Sequence, residues 1–300
     1  MTVLLEIGAE RADEVLAVIH EAFADRPALD PPATALEETR ESVAAALSEH
    51  GGLLAVHDGE PVGTVLFVTG GALLGLRRVG VLATARRHGI ASLLAERAES
   101  VARQGGYQGL ELEARAELPK TVQFWERHGY VEVDRDGPRL HLVRQLPLVR
   151  RLPTPESTRA AGLALAGLLR AGDLLILTGD LGAGKTTLTQ GLGEGLGVRG
   201  PVTSPTFVIA RVHPSLVGGP DLVHVDAYRL GDGAELDDLD LDTDLDTVVT
   251  VVEWGSGLAE ALSTDRLELR LERAADDVRT LSVTPVGGRW LDTDLRTTFA

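Results

Sequence analysis

The stretch Gly179-Asp180-Leu181-Gly182-Ala183-Gly184-Lys185-Thr186-Thr187 constrains this chain more than any other. It fits the spacing G-x-x-x-x-G-K-[ST] and lies between the apolar run Leu174-Leu175-Ile176-Leu177 and the helix-like Leu188-Thr189-Gln190-Gly191-Leu192. A loop of this kind turns tightly out of a strand and aims successive backbone N–H groups at phosphate oxygens from a helix N-terminus. Glycines permit both the turn and the close approach. Lys185 then reaches the β- and γ-phosphates of a nucleotide, and the Thr186 hydroxyl holds Mg2+. Composition sharpens the point: among 29 basic residues only Lys120 and Lys185 are lysines. A chain that otherwise uses arginine keeps at this position a compact ammonium on a flexible stem, which suits a phosphate better than a planar fork.

Two further apolar runs, Leu222 to Asp226 and Thr247 to Glu253, each end in a carboxylate. Their β-branched composition predicts strands buried on both faces of a largely parallel sheet. Ligands of such sheets lie beyond the strand C-termini, which places Asp226 and Glu253 on the edge that carries the glycine loop. The candidate catalytic residues are therefore Lys185, Asp226 and Glu253, and the candidate Mg2+ ligands are Thr186, Asp226 and Glu253. Trp254, next in the chain, is expected to report nucleotide occupancy. Ser204-Pro205-Thr206-Phe207 reads either as a switch segment with Thr206 near the γ-phosphate or as an ordinary proline turn. The acidic stretch Glu235 to Asp246 lacks the sixth-position glycine and closing glutamate of a calcium loop, and reads as a solvated face with its leucines inward. Arg266 to Leu271 and Val278 to Val283 read as a terminal antiparallel pair.

At 300 residues two domains are expected. Gln145 to Pro155 holds three prolines and a basic pair and reads as the connector, giving domains 1–148 and 152–300. Cysteine is absent, which excludes disulfides and thiolate metal sites. No run of about 18 apolar residues exists and Met1 to Glu6 lacks the basic start and apolar middle of a signal peptide, so no membrane and a cytoplasmic location are expected. The net charge of −16 is spread over both halves, so neither is a free-standing basic module and any RNA is expected to be reached through partners.

The first half reads as an α/β domain of mixed order. Asp13 to Phe23 and about Leu36 to Leu47 have helical spacing. Leu53 to His57, the turn Asp58-Gly59 and Val62 to Val68 form a hairpin, and about Leu73 to Leu82 a third strand. Arg86-Arg87-His88-Gly89-Ile90-Ala91 then opens a helix at Ser92, again setting backbone donors at a helix N-terminus, where a pyrophosphate binds. A strand (Leu110 to Glu113), a helix (Thr121 to Arg127) and Gly129 to Val133 follow. Glu111, Glu113, Tyr107 and His128 are the titratable candidates there; the glutamates alternate along a strand as a solvated face does, and His128 precedes a turn glycine as structural histidines do.

This order of elements resembles the GNAT family of acetyl-CoA-dependent N-acetyltransferases over nearly all of residues 1–145. Val81-Leu82-Ala83-Thr84-Ala85-Arg86-Arg87-His88-Gly89-Ile90-Ala91 is similar to the family's pyrophosphate-binding segment, and Phe124-Trp125-Glu126-Arg127-His128-Gly129-Tyr130 to its second segment. The resemblance implies acetyl-CoA bound through Val81, Arg86, Arg87, His88, Gly89, Ile90, Ala91 and Ser92, with the acetyl acceptor unnamed. Trp125 stands where many members carry a tyrosine that protonates the leaving thiolate, which an indole cannot do. Either another group or water protonates it, or the domain binds the cofactor and acetylates poorly.

The second half resembles the TsaE family, ATPases of bacterial tRNA threonylcarbamoyladenosine modification, over about residues 152–285. The glycine loop, Ser204-Pro205-Thr206-Phe207, His224-Val225-Asp226-Ala227-Tyr228-Arg229-Leu230 and Glu253-Trp254 occur in the family's order. The resemblance implies ATP and Mg2+ as ligands, with Gly179 to Thr187, Thr206 and Trp254 around the nucleotide. It also implies hydrolysis in partnership with the TsaB and TsaD proteins, and tRNA as the eventual target. The rival reading is a phosphate-loop kinase of a small molecule or nucleoside beside an inert acetyl-CoA-binding module. No arginine-rich lid insertion is visible in its favour.

Overall fold

A computed structural model of the chain describes residues 1–27, 29–205, 209–229 and 245–299. The chain divides into two compact units, Met1–Leu146 and Pro147–Ala300.

The described strands of the first unit form one sheet, in the order β1-β2-β3-β4-β5-β7-β6. They are β1 (Thr2–Ile7), β2 (Gly52–His57), β3 (Glu60–Val68), β4 (Leu73–Val81), β5 (Gly109–Arg115), β6 (Val131–Asp136) and β7 (Arg139–Gln145). The hairpin β2–β3 turns at Asp58 and Gly59, both at positive φ (51° and 92°), the geometry that matches the right-handed twist of its strands. Alternation along these strands serves two faces. Leu53 and Val65 join α3 (Ile90–Gln104) and α4 (Pro119–Arg127) in one core, whereas Leu54 and Leu66 join α1 (Ala12–Ala24) and α2 (Arg40–His50) in another. β4 and β5 pair in parallel only from Leu73–Leu76 against Gly109–Leu112, although β4 continues to Val81. The two strands therefore part beyond Leu76 and Leu112.

The second unit also builds one sheet from its described strands, ordered β10-β11-β12-β9-β13-β14-β8. Its members are β8 (Leu148–Leu152), β9 (Leu174–Thr178), β10 (Ala210–His213), β11 (Asp221–Asp226), β12 (Val248–Glu253), β13 (Arg266–Arg273) and β14 (Arg279–Val286). The four central strands, β11-β12-β9-β13, are parallel, and β10, β14 and β8 extend the sheet antiparallel at its two sides. The sheet is thus mixed, with its parallel part at the centre. As the apolar runs require, both faces of β9 and β12 are covered. Leu175, Leu177 and Val251 pack under α5 (Pro155–Ala166) and α6 (Lys185–Gly195), and Leu174, Ile176 and Val252 pack with Val225 and Ala259 on the other side. A short helix, α7 (Leu295–Phe299), ends the described chain.

The stretch expected as a connector holds strand β8 at its centre, paired with β14 from Leu148↔Val283 to Leu152↔Arg279. Pro147 and Pro153 stand just outside it, where a missing N–H costs no ladder bond. Glycines set the distance between α5 and α6. A Cβ on Gly162 would lie 2.1 Å from the Leu188 carbonyl oxygen, and one on Gly191 2.0 Å from that of Arg159.

Helix starts fall into two kinds. Thr39 with Ser42 and Thr154 with Ser157 form reciprocal capping boxes on α2 and α5. By contrast α3 and α6 begin after left-handed glycines, Gly89 (φ 73°) and Gly184 (φ 107°), with no side-chain cap.

Candidate functional site

In the second unit the glycine loop leaves β9 as its position in the sequence demands. Parallel register sets Leu177 beside Glu253 and Glu253 beside Asp226, so the loop and both carboxylates share one sheet edge. Gly179, Gly182 and Gly184 all have positive φ, which a Cβ-bearing residue rarely adopts. The Lys185 ammonium folds back into the loop, donating to the carbonyls of Gly179 (2.7 Å) and Asp180 (3.1 Å). It also lies 3.9 Å from the centre of the Trp254 ring. Burial lowers the Lys185 pKa, opposed by the carboxylates of Glu253, Asp226 and Asp180.

The Thr186 hydroxyl donates to Glu253 Oε1 at 3.3 Å. Asp226 accepts from the Ser204 hydroxyl (Oδ2, 3.1 Å) and from the Tyr228 backbone N–H (Oδ1, 3.1 Å). Trp254 holds a left-handed backbone (φ 63°) while its N–H donates to the Leu177 carbonyl at 2.8 Å, and its ring packs against Tyr228 at 5.2 Å. A bulky residue in that conformation is strained, and strain of this sort gathers at ligand sites.

A cavity of about 640 Å³ opens over these groups. Leu181, Gly182, Gly184, Lys185, Thr186, Thr187, Asp226, Glu253 and Trp254 line it. Gly179, Asp180 and Ala183 shape the loop from behind; the Ala183 N–H donates to the Asp180 carbonyl at 3.1 Å. Thr206 and most of the acidic stretch 235–246 lie outside the described residues. The far wall consists of Pro155, Thr158 and Arg279, from α5 and the start of β14. Nothing near those residues in sequence marks them as lining a phosphate loop; only the α5–α6 contact and the sheet order bring them there. Among the described residues no cage of three or more His, Asp or Glu side chains exists. A hydroxyl and two carboxylates facing this cavity suit Mg2+, which takes one or two protein oxygens and completes its octahedron with water and ligand oxygens.

In the first unit Gly89 to Ser92 form the uncapped start of α3. A Cβ at Gly89 would meet open space. Arg86 is held by Asp25 at 2.7 Å, and the His88 ring lies 5.1 Å from that of His57. Ile90 is buried, and Val81 ends β4 beyond Leu76, the last residue of that strand paired with β5. His128 links this loop to α4, with Nδ1 2.7 Å from the Phe124 carbonyl and Nε2 3.1 Å from the Ser92 hydroxyl. Trp125 is buried edge-on against Tyr130 at 4.9 Å. Burial pushes the Tyr130 phenol well above its ordinary pKa. Glu111 pairs with His141 at 2.9 Å.

The second unit thus belongs to the phosphate-loop class of α/β domains. Residues 152–281 match the family described as "Threonylcarbamoyl adenosine biosynthesis protein TsaE", and residues 16–130 match "Acetyltransferase (GNAT) family". The TsaE protein of Streptomyces coelicolor is 65% identical over 142 residues, 46% of this chain and 96% of the relative. That of Bacillus subtilis is 43% identical over 141 residues, 47% of this chain and 87% of the relative. A solved PaiA N-acetyltransferase of Thermoplasma acidophilum, in complex with coenzyme A, covers 49% of this chain and 99% of its own at 14% identity, with a TM-score of 0.44. The chain belongs to the TsaE family through its second unit, with a GNAT-family region preceding it.

Proposed function

We propose that the second unit, through residues 152–300, binds and hydrolyses Mg-ATP to support threonylcarbamoyladenosine formation on tRNA, acting with TsaB and TsaD proteins that hold the tRNA. The observation that carries this reading is the convergence of Lys185, Thr186, Asp226 and Glu253 on one cavity behind the glycine loop. Lys185 exchanges its two carbonyl partners for phosphate oxygens. Thr186 and Asp226 offer oxygens to Mg2+, which when bound neutralises charge on the β- and γ-phosphates. Glu253 faces the water shell of that cation and orients the attacking water. Pro155, Thr158 and Arg279 receive the nucleoside end.

Glu253→Gln is expected to bind ATP, read by the fluorescence of Trp254, while hydrolysis in the presence of TsaB and TsaD falls about 100-fold. Asp226→Asn is expected to weaken Mg2+-dependent ATP binding about tenfold. Full turnover by Glu253→Gln removes Glu253 from the reaction.

For the first unit the proposed activity is acetyl-CoA-dependent N-acetylation, with the pyrophosphate on the backbone N–H groups of Gly89 to Ser92. Open space at the Gly89 Cβ means that Gly89→Val leaves the core undisturbed while straining the φ of 73° and screening those amides. Calorimetry with the intact chain is expected to show at least about tenfold weaker acetyl-CoA binding, and a smaller loss for exposed Arg87→Ala. Equal affinity in Gly89→Val and the parent chain excludes this placement of the pyrophosphate.

A further inference from the structure

Among the described residues Glu253 is, with Asp173 and Asp226, a nearly fully buried carboxylate, at 3% exposure. A buried carboxylate swings between rotamers unless donors hold it, and an oxygen that must orient a water or a cation is useful only in one of them. Both of its hydrogen bonds fall on the same atom. Oε1 accepts from the Thr186 hydroxyl at 3.3 Å and from His224 Nε2 at 3.0 Å, while Oε2 has no partner among the described residues.

His224 comes from β11, two residues before Asp226, and therefore points to the same face of the sheet. Its register partner on β12 is Val251, which puts it diagonal to Glu253 and within reach of a long side chain. The imidazole is completely buried. A carboxylate oxygen only accepts, so Nε2 carries the proton, and Nδ1 is left without a partner among the described residues. An orphaned buried nitrogen is destabilising, and an apolar residue on this face would avoid it. The hydrogen bond to Glu253 is what the histidine supplies in return.

We propose that His224 is a positioning residue for Glu253: its Nε2–H anchors Oε1 from within the sheet and keeps Oε2 turned to the nucleotide pocket. This rests on the reading of the pocket as a Mg-ATP site. Thr186 alone cannot do the same, because its hydroxyl is itself a candidate ligand of the cation and shares its orientation with it. His224 is held by strand pairing and touches neither nucleotide nor cation.

The test uses the intact chain with His224→Leu, which removes the donor, and His224→Gln, whose amide N–H reaches about as far as Nε2. Trp fluorescence follows ATP binding with and without Mg2+, and hydrolysis is measured with TsaB and TsaD present. His224→Leu is expected to bind ATP without Mg2+ as the parent does, to need about tenfold more Mg2+ for half-maximal effect, and to lose about 10- to 100-fold in kcat with little change in KM. His224→Gln is expected to recover most of both losses. His224→Leu/Glu253→Gln is expected to hydrolyse no more slowly than Glu253→Gln alone, since a residue acting through Glu253 has nothing left to act on.

An unchanged Mg2+ requirement in a folded His224→Leu, or equal slowing of the parent and of Glu253→Gln, overturns the proposal. Should His224→Leu fail to fold, His224→Asn, a polar side chain too short for Oε1, takes its place and must show the same losses. If the parent chain gives no ATP response at all, the Mg-ATP reading fails, a result distinct from a parent that responds and a variant that matches it.

Discussion

Lys185→Ala is expected to abolish ATP hydrolysis, a fall of at least about 10³-fold, when turnover is measured with TsaB and TsaD present. Lys185 is the only lysine of the second unit. The residue is 5% exposed, and the charges of Glu253, Asp226 and Asp180 oppose the lowering of its pKa by burial. Removing it deletes the cation that meets developing negative charge on the phosphates and also leaves those carboxylates facing an incoming polyanion. Affinity is therefore expected to fall along with rate. Lys185→Arg is not expected to rescue, because a planar fork cannot pack where a compact ammonium donates to two carbonyls of a tight loop and lies against an indole. Undiminished hydrolysis by Lys185→Ala excludes the second unit as a phosphate-loop ATPase.

Gly162→Ala is expected to destabilise the second unit by about 3 kcal/mol, and to lower the midpoint of its ATP-sensitive thermal transition by roughly 6–10 °C. Alanine is ordinarily the better helix former, by about 1 kcal/mol, so a loss here isolates the packing. The added Cβ would lie 2.1 Å from the Leu188 carbonyl oxygen and 2.9 Å from the Leu192 nitrogen, and neither can rotate away because both are α6 backbone. α5 must move, carrying Pro155 and Thr158 with it, so ATP affinity is expected to drop as well. Gly167→Ala is the control: its Cβ would come no nearer than 3.5 Å to the Ala164 carbonyl oxygen. Equal midpoints for the two variants would show that the helices are not held at the distance their glycines allow.

What the sequence could disclose depended on how local each signal was. The glycine loop carries its own strand and helix, and the apolar runs before Asp226 and Glu253 announce buried strands that end in carboxylates. The shared edge follows from parallel pairing alone. The hairpin around Asp58-Gly59 was equally plain, because its turn chemistry and alternation lie within a few residues. Strand β8 was not legible, since a short edge strand depends on partners far along the chain. Leu148–Leu152 is strand only because β14 lies beside it. Arg279 was missed for the same reason, its place at the pocket being set by sheet order. His224 was visible as a letter within an apolar run, but its contact belongs to the neighbouring strand and no spacing encodes it.

The contrast between capped and uncapped helices bears on how folding and ligand supply are joined. α2 and α5 finish their first turns with their own hydroxyls, so their ends are complete in the free chain. α3 and α6 have no such residue, and the phosphates of a guest would serve as their missing caps. If the first unit takes acetyl-CoA and the second ATP, as proposed, each would gain about 2.7 kcal/mol when its ligand exceeds Kd a hundredfold. Two metabolites would then each set how firmly one unit of the same polypeptide is folded.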